Sequence, residues 1–162
     1  MKSLMGILLL MLPAIGLATD YSNQQVDQII QSGEMPDGIV FELITFEDDA
    51  WSWAAPMIES LASGLRQKFP EVEIALVSHG SEMFDLATQE NRHDQPAIKQ
   101  LASISESGVD IHVCGGFASY QQLGDDDFLK FVDVAPSAPA RLNDYLNLGF
   151  ELIRLEKPDD AF

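Results

Sequence analysis

The chain has 162 residues, and its 26 acidic side chains outnumber its 9 basic ones to give a formal net charge of −17. That balance excludes partners rich in phosphate, both nucleic acids and anionic membrane surfaces, because such partners are bound through Lys and Arg. The hydrophobic fraction of 46% suffices for a folded core and excludes a disordered chain.

Residues 1–18 have the features of a secretory signal peptide. Lys2 precedes an uncharged apolar run at 4–12, and the small residues Gly16 and Ala18 occupy the positions that a signal peptidase reads. The run is much shorter than the ~20 residues of a membrane-spanning helix, so we expect cleavage near Ala18 and no span in the mature protein. Loss of Lys2 leaves 8 basic against 26 acidic residues, a net charge of −18, in a periplasmic or secreted protein.

The mature chain, residues 19–162, is expected to form one domain that alternates strands with helices. A polar lead-in at 19–37 contains one or two helical turns. The almost continuous apolar run at 39–46 predicts a strand covered on both faces, and a second strand follows at 73–78. Apolar residues at helical spacing predict a helix between them that ends near Lys68. Because Pro56 fits only the first turn of a helix, residues 50–55 are expected to be loop or irregular helix entry.

The second half of the chain continues the alternation. A short helix begins after Ser81, and a longer one at 96–107 starts with Pro96 and ends before Gly108. A third strand follows at 109–114, a short helix from about Phe117, a fourth strand at 131–134, a helix at 138–148, a fifth strand at 150–155 and a flexible tail at 156–162. This order predicts a three-layer α/β/α fold with a mainly parallel five-stranded sheet.

Cys114 is the single cysteine, so no disulfide can form within the chain. Ligands of open parallel sheets gather beyond the carboxyl ends of the strands, which is where Cys114 is placed. It shares its strand face with Asp110 and His112, and a helix beginning near Phe117 would direct N–H groups toward the sulfur and favour the reactive thiolate. The alternative is a cysteine that acts only as a small buried hydrophobic residue. His112 is expected to be a packing or interface residue.

His79 ends the second strand and can act as a base or a cation beside Cys114 if the second and third strands are neighbours. The alternative is a histidine that orders its loop by hydrogen bonding. Consecutive aspartates do not follow a calcium-loop spacing, and the chain has no Gly-rich phosphate loop, so we expect neither a metal nor a cofactor. Five other residues near the strand ends can line a pocket: Gly80, Gly115, Gly116, Trp51 and Asp48. For Trp51 the alternative is packing in the core.

Three segments together resemble the DsrE/DsrF-like family. They are residues 108–114, the strand ending in His79 and Gly80, and residues 134–137 followed by Arg141-Leu142 and Gly149-Phe150. The resemblance extends from about residue 38 to residue 154. It implies a small α/β/α domain that assembles into trimers or hexamers. In the sulfur-relay members the cysteine that matches Cys114 carries a persulfide, but those members act in the cytoplasm and have small apolar residues in place of the two glycines.

Two hypotheses follow. In the first, the protein is a periplasmic sulfurtransferase or sulfur carrier in which Cys114 accepts sulfane sulfur as a persulfide and exchanges it with a donor or acceptor protein. In the second, it is a non-catalytic, homo-oligomeric binding module in which Cys114 is merely packed. The first requires a thiol that solvent can reach, and the second predicts a thiol that reagents reach only after unfolding.

Overall fold

A computed structural model describes residues 21–90 and 92–158. Its centre is one sheet of five parallel strands in the order β4-β3-β2-β1-β5. The strands are β1 (Gly38–Leu43), β2 (Glu73–Ser78), β3 (Val109–Cys114), β4 (Asp133–Ala135) and β5 (Glu151–Arg154). All six residues of β1 are buried, as its apolar run predicts for a strand that is covered on both faces. The predicted α/β class with a parallel five-stranded sheet is confirmed.

Helices cover both faces of the sheet. They are α1 (Tyr21–Ser32), α2 (Ala50–Lys68), α3 (Pro96–Glu106), the short α4 (Gly115–Ala118) and α5 (Ala138–Asn147). The chain moves in one direction from β1 to β3, so right-handed crossovers place α2 and α3 on the same face, where they pack together with α1 against α2. It then crosses back from β4 to β5, which places α5 on the opposite face. No helix among the described residues is long and apolar enough to cross a membrane.

The prediction of a loop at residues 50–55 is wrong, because α2 begins at Ala50 and contains Pro56. Proline removes one helical hydrogen bond, but the first turns of α2 bury Trp51, Trp53 and Ala54, and this burial offsets the loss. The first strand ends at Leu43 rather than at residue 46, because the Thr45 N–H turns away to a side-chain carboxylate.

Three smaller differences concern the remaining elements. The lead-in forms a 12-residue helix, α1, because Val26 and Ile29 are buried against the core. The fourth strand lies at Asp133–Ala135 instead of 131–134, since its ladder pairs Cys114 with Ala135. Residues 156–158 of the predicted tail contact the domain, through Glu156 N–H to Ser22 Oγ at 3.4 Å and Lys157 Nζ to Glu47 at 3.0 Å. The proposed signal peptide lies outside the described residues.

Candidate functional site

The structure places Cys114 and His79 at the carboxyl edge of the sheet, on neighbouring strands. Cys114 ends β3, and His79 directly follows β2. The β2–β3 ladder pairs Ser78 with Val113, so the next residue along each strand is His79 on one and Cys114 on the other. The prediction for His79 required the second and third strands to be neighbours, and β2 and β3 are paired.

The sulfur of Cys114 lies at the start of α5. Its Sγ accepts a hydrogen bond from the backbone N–H of Ala138, the first residue of that helix, at 3.4 Å. Ser137 caps the helix by accepting from Ala140 N–H. The positive end of the α5 dipole therefore faces the sulfur and stabilises negative charge there. Cys114 itself is buried, with 9% of its surface exposed.

The prediction that the short helix after Cys114 supplies N–H groups to the sulfur is wrong, because the donor comes from α5. That short helix, α4, begins at Gly115 rather than near Phe117, and the Gly116 N–H donates to Pro136 O at 3.1 Å instead. The sulfur's donor, Ala138 N–H, comes from α5, 24 residues later in the chain. The pairing of β3 with β4 produces this contact, because it brings residues 135–138 alongside the end of β3.

The two glycines after Cys114 leave room around the sulfur and the neighbouring backbone. A Cβ at Gly115 would lie 3.0 Å from Ala135 O, so this residue allows α4 to pass close to the end of β4. A Cβ at Gly116 would lie 3.8 Å from Cys114 Sγ, and Gly116 is exposed. Gly116 is therefore an exposed position at which an added side chain would contact the sulfur.

The ring of His79 is held by a carboxylate on β1. His79 Nε2 lies 3.0 Å from Glu42 Oε1, and the other oxygen, Oε2, accepts a bond of 2.7 Å from Arg154 Nε on β5. Glu42 is 8% exposed. This arrangement orients the His79 ring through Glu42 rather than through Cys114.

The remaining predicted pocket residues lie apart from Cys114. Gly80 is packed against Thr45, and the Trp51 indole N–H donates to Glu82 O at 2.8 Å within the core. Trp51 also borders a cavity of about 400 Å³ between the first turns of α2 and α3. Asp48 is exposed and borders a second cavity of about 670 Å³. Cys114 lines neither cavity. Within residues 21–90 and 92–158, no group of three or more His, Cys, Asp or Glu side chains is placed to hold a metal ion.

The sequence model of the DsrE/DsrF-like family matches residues 39–155, which include all of β1 except Gly38, the whole of β2 to β5, and the edge that carries Cys114 and His79. The chain belongs to this family. The resemblance inferred from three sequence segments is thereby confirmed, and membership of the DsrE/DsrF-like family indicates a role related to sulfur relay. No curated protein matches the sequence.

Among solved structures, the chain is similar to a protein of unknown function from Methanobacterium thermoautotrophicum. The match has a TM-score of 0.58 and 20% sequence identity, and it covers 72% of this chain and 97% of that one. It shows that the two proteins share the fold.

Sequence reasoning missed Glu82, which joins the loops after β1 and β2 in this DsrE/DsrF-like domain. Glu82 is 2% exposed. Its Oε1 accepts from Ser78 Oγ at 2.8 Å and from Gly80 N–H at 2.9 Å, and its Oε2 accepts from Thr45 N–H at 3.1 Å. These donors satisfy the buried carboxylate and fix the loop that carries His79.

A second group pairs His112 on β3, which was expected to be a packing or interface residue, with Tyr145 on α5, which the sequence did not indicate. His112 Nε2 lies 2.8 Å from Tyr145 Oη, while its Nδ1 is buried and has no hydrogen-bond partner among the residues that the structure describes. Burial lowers the pKa of His112 from its usual 6.5, and the nearby Arg141 charge lowers it further, against the opposing effect of Asp133 and Asp110. The alternation of β3 had already placed His112 on the face of Cys114.

The lowered pKa of His112 predicts a loss of stability in mild acid. As the pH falls from about 7 to 5, the unfolded chain gains a proton at this residue before the folded chain does, so the free energy of unfolding decreases. One such group contributes a slope of at most about 1.4 kcal/mol per pH unit. Urea unfolding across this range should show a smaller decrease for His112→Gln than for the wild type. His93→Gln, in an exposed loop, should keep the wild-type decrease; equal slopes in all three proteins would contradict the prediction.

Proposed function

We propose that the protein handles sulfur, with Cys114 accepting a sulfane sulfur atom as a persulfide and passing it to an acceptor thiol. The observation that carries the proposal is the position of the Cys114 sulfur, at the end of β3 and against the first N–H of α5, in a chain of the DsrE/DsrF-like family. Cys114 is the only cysteine in the sequence. The same sulfur atom must therefore both receive and release the transferred atom.

The transfer needs no external oxidant when thiosulfate is the donor. The Cys114 thiolate attacks the outer sulfur of thiosulfate, a new S–S bond forms, and the old S–S bond breaks as sulfite leaves with its electron pair. An acceptor thiolate then attacks the terminal sulfur of the Cys114 persulfide, and the Cys114 thiolate is regenerated. In both steps the sulfur of Cys114 carries negative charge, which the N-terminus of α5 stabilises.

His79 is the second residue that we propose for this site. Its ring is oriented by Glu42, and the Arg154 guanidinium shares that carboxylate. Sulfur donors such as thiosulfate are anions, so a protonated His79 at this edge would attract them in a strongly acidic protein. His79→Asn should then slow persulfide formation without abolishing it.

The deciding experiment is the intact mass of the protein after exposure to polysulfide or thiosulfate. We expect a gain of about 32 Da per sulfur atom, reversed by a reducing agent and absent in Cys114→Ser. A matched variant, Gly116→Val, tests access to the sulfur, because its side chain would cover Cys114 Sγ while Cys114 stays in place. It should fold and react more slowly than the wild type. A wild-type mass that does not change under either reagent would refute the proposal.

The second candidate is the non-catalytic binding module, and the 9% exposure of Cys114 favours it. A packed thiol of this kind acts as a small hydrophobic residue. Alkylation by iodoacetamide separates the two candidates. The sulfur carrier requires Cys114 to react in the native protein, whereas the binding module predicts reaction only after unfolding in urea.

We further propose that the protein acts outside the cytoplasm, after cleavage near Ala18, and assembles into a homotrimer or homohexamer. The support is the signal-like pattern of residues 1–18 and the family resemblance. Intact mass of protein from the periplasmic fraction tests the cleavage, and light scattering tests the assembly. A full-length mass or a monomer would overturn the respective proposal.

A further inference from the structure

Apolar side chains are exposed at the carboxyl edge of the sheet. The exposed fractions are 50% for Ile44, 71% for Phe46 and 82% for Tyr120. Ile44 and Phe46 follow β1, and Tyr120 follows α4. Large apolar side chains this exposed cost free energy in water, and a group of them at one edge is typical of an interaction surface.

Five apolar side chains follow the carboxyl ends of the three neighbouring strands β1, β2 and β3, and we call them the apolar ridge: Ile44, Phe46, Phe84, Phe117 and Tyr120. Thr45, between the first two, bonds to Glu82 and accepts from Ser81 N–H at 2.8 Å. Phe84 lies in the same short helical segment as Glu82, and its ring centroid is 5.1 Å from that of Phe117. The Phe117 and Tyr120 centroids are 6.4 Å apart.

Acidic side chains follow Phe46, Phe84 and Tyr120 in the same segments of the chain, and we call them the acidic rim: Glu47, Asp48, Asp49, Asp85 and Asp125–Asp127. Asp49 and Asp85 border the same cavity between the first turns of α2 and α3. Burial raises the pKa of Asp85 against the opposing effect of the Arg92 charge, and negative neighbours that include Asp48 and Asp49 raise it further. The aspartate run is linked to the segment after Phe84, because the Asp127 carbonyl accepts a hydrogen bond from Thr88 Oγ at 3.0 Å.

Two nearby cations are already engaged by the acidic rim. Arg92 pairs with Asp85 at 3.1 Å, and Lys157 pairs with Glu47 at 3.0 Å. The rim nevertheless keeps a large excess of negative charge. Aromatic side chains surrounded by charge of one sign match the usual anatomy of a transient protein interface, an apolar centre within a polar border.

We propose that the apolar ridge and acidic rim form the docking surface for a basic protein partner, one that presents large apolar side chains flanked by Lys and Arg. A second copy of this chain fits the surface poorly, because self-association there would bring two acidic rims together within a protein of formal charge −17. A purely cationic partner would leave the apolar ridge uncovered.

This docking does not depend on sulfur chemistry, although Phe117 and Tyr120 follow closely after Cys114 in the chain. Binding can be measured in Cys114→Ser, which carries no thiol. A failure of the persulfide proposal therefore leaves the docking proposal standing, and a failure of docking leaves the persulfide proposal standing.

The test uses two synthetic helical peptides of equal length and equal positive charge, one Lys/Leu/Trp and one Lys/Ser, with fluorescence anisotropy as the measurement. The Lys/Leu/Trp peptide should bind about tenfold more tightly, and added salt should weaken its binding. Phe46→Ser and Tyr120→Ser should each weaken it about fivefold. Leu148→Ser is the matched control, because Leu148 is 66% exposed but precedes β5 at the opposite edge of the sheet.

Three outcomes would overturn the proposal. The first is equal affinity for the two peptides, and the second is a loss in Phe46→Ser and Tyr120→Ser no larger than that in Leu148→Ser. The third is a wild-type oligomer, seen by sedimentation velocity, that dissociates in Phe46→Ser or Tyr120→Ser, since the surface would then be occupied by a second copy of the chain.

Discussion

Replacement of Glu82 by alanine should lower the free energy of unfolding by about 3–5 kcal/mol. The Glu82 carboxylate is buried and accepts from the Thr45 and Gly80 backbone N–H groups and from the Ser78 hydroxyl. Its removal leaves these three buried donors without their acceptor. It also removes the side-chain link between the loop after β1 and the loop after β2, which carries His79, and leaves the backbone bond from Ser81 N–H to Thr45 O.

Urea unfolding of the wild type, Glu82→Ala and Glu82→Gln measures this effect. The glutamine variant keeps the volume and one acceptor oxygen, but its NH₂ group faces a donor, so its stability should fall between the other two. Glu90→Ala is the control, because Glu90 is exposed and nearby in sequence, and it should change stability by less than about 0.5 kcal/mol. A Glu82→Ala protein as stable as Glu90→Ala would show that the carboxylate does not hold the loops together.

The second large effect is expected for Gly80→Ala, which should destabilise the fold by about 3 kcal/mol or more. A Cβ at this position would overlap Thr45 O and the Glu82 carboxylate, and would lie 2.5 Å from Thr45 N. Thr45 contributes backbone atoms that cannot rotate away, so the loop after β1 would have to move and its bond to Glu82 would break.

Gly64→Ala is the matched control for this substitution. Gly64 lies inside α2, and an added Cβ would meet only Ile30 Cδ1, at an ordinary 3.7 Å. Because alanine is favoured over glycine within a helix, this variant should gain about 0.5–1 kcal/mol. Thermal or urea unfolding should therefore move the midpoints of the two variants in opposite directions. A neutral Gly80→Ala would mean that the two loops can separate at little cost.

Much of the fold follows from local patterns in the sequence. Five elements are indicated by residues close together in sequence: β1, β2, β3 and the helices that begin at Pro96 and Ala138. The bounds of each lie within about three residues of the predicted bounds. The start of α2 does not follow from local pattern. The preference of Pro56 for the first turn of a helix favours a later start, and the burial of Trp51 and Trp53 outweighs it. Tertiary burial of this kind has no local signature.

The site was predictable in position but not in its contacts. Cys114 and His79 were placed at one edge because each lies at the carboxyl end of a predicted strand. The partners of both side chains come from distant segments, Ala138 for the sulfur and Glu42 for the ring. A signal in the sequence was available for one of the two missed carboxylates. Glu42 interrupts an otherwise apolar strand, and a carboxylate inside a buried run must have cationic or N–H partners. Glu82 had no such context, because it follows a glycine in a short polar segment.

The strand order also determines when the sheet can be completed. β1 lies near the start of the described chain and pairs with β2 on one side and with β5 on the other. The hydrogen bond between Glu42 on β1 and Arg154 on β5 joins residues that are 112 positions apart. A chain emerging from the ribosome therefore keeps one edge of its most buried strand unpaired until nearly every residue has been synthesised. Contacts of such high sequence separation slow folding, because a large loop must close before they form.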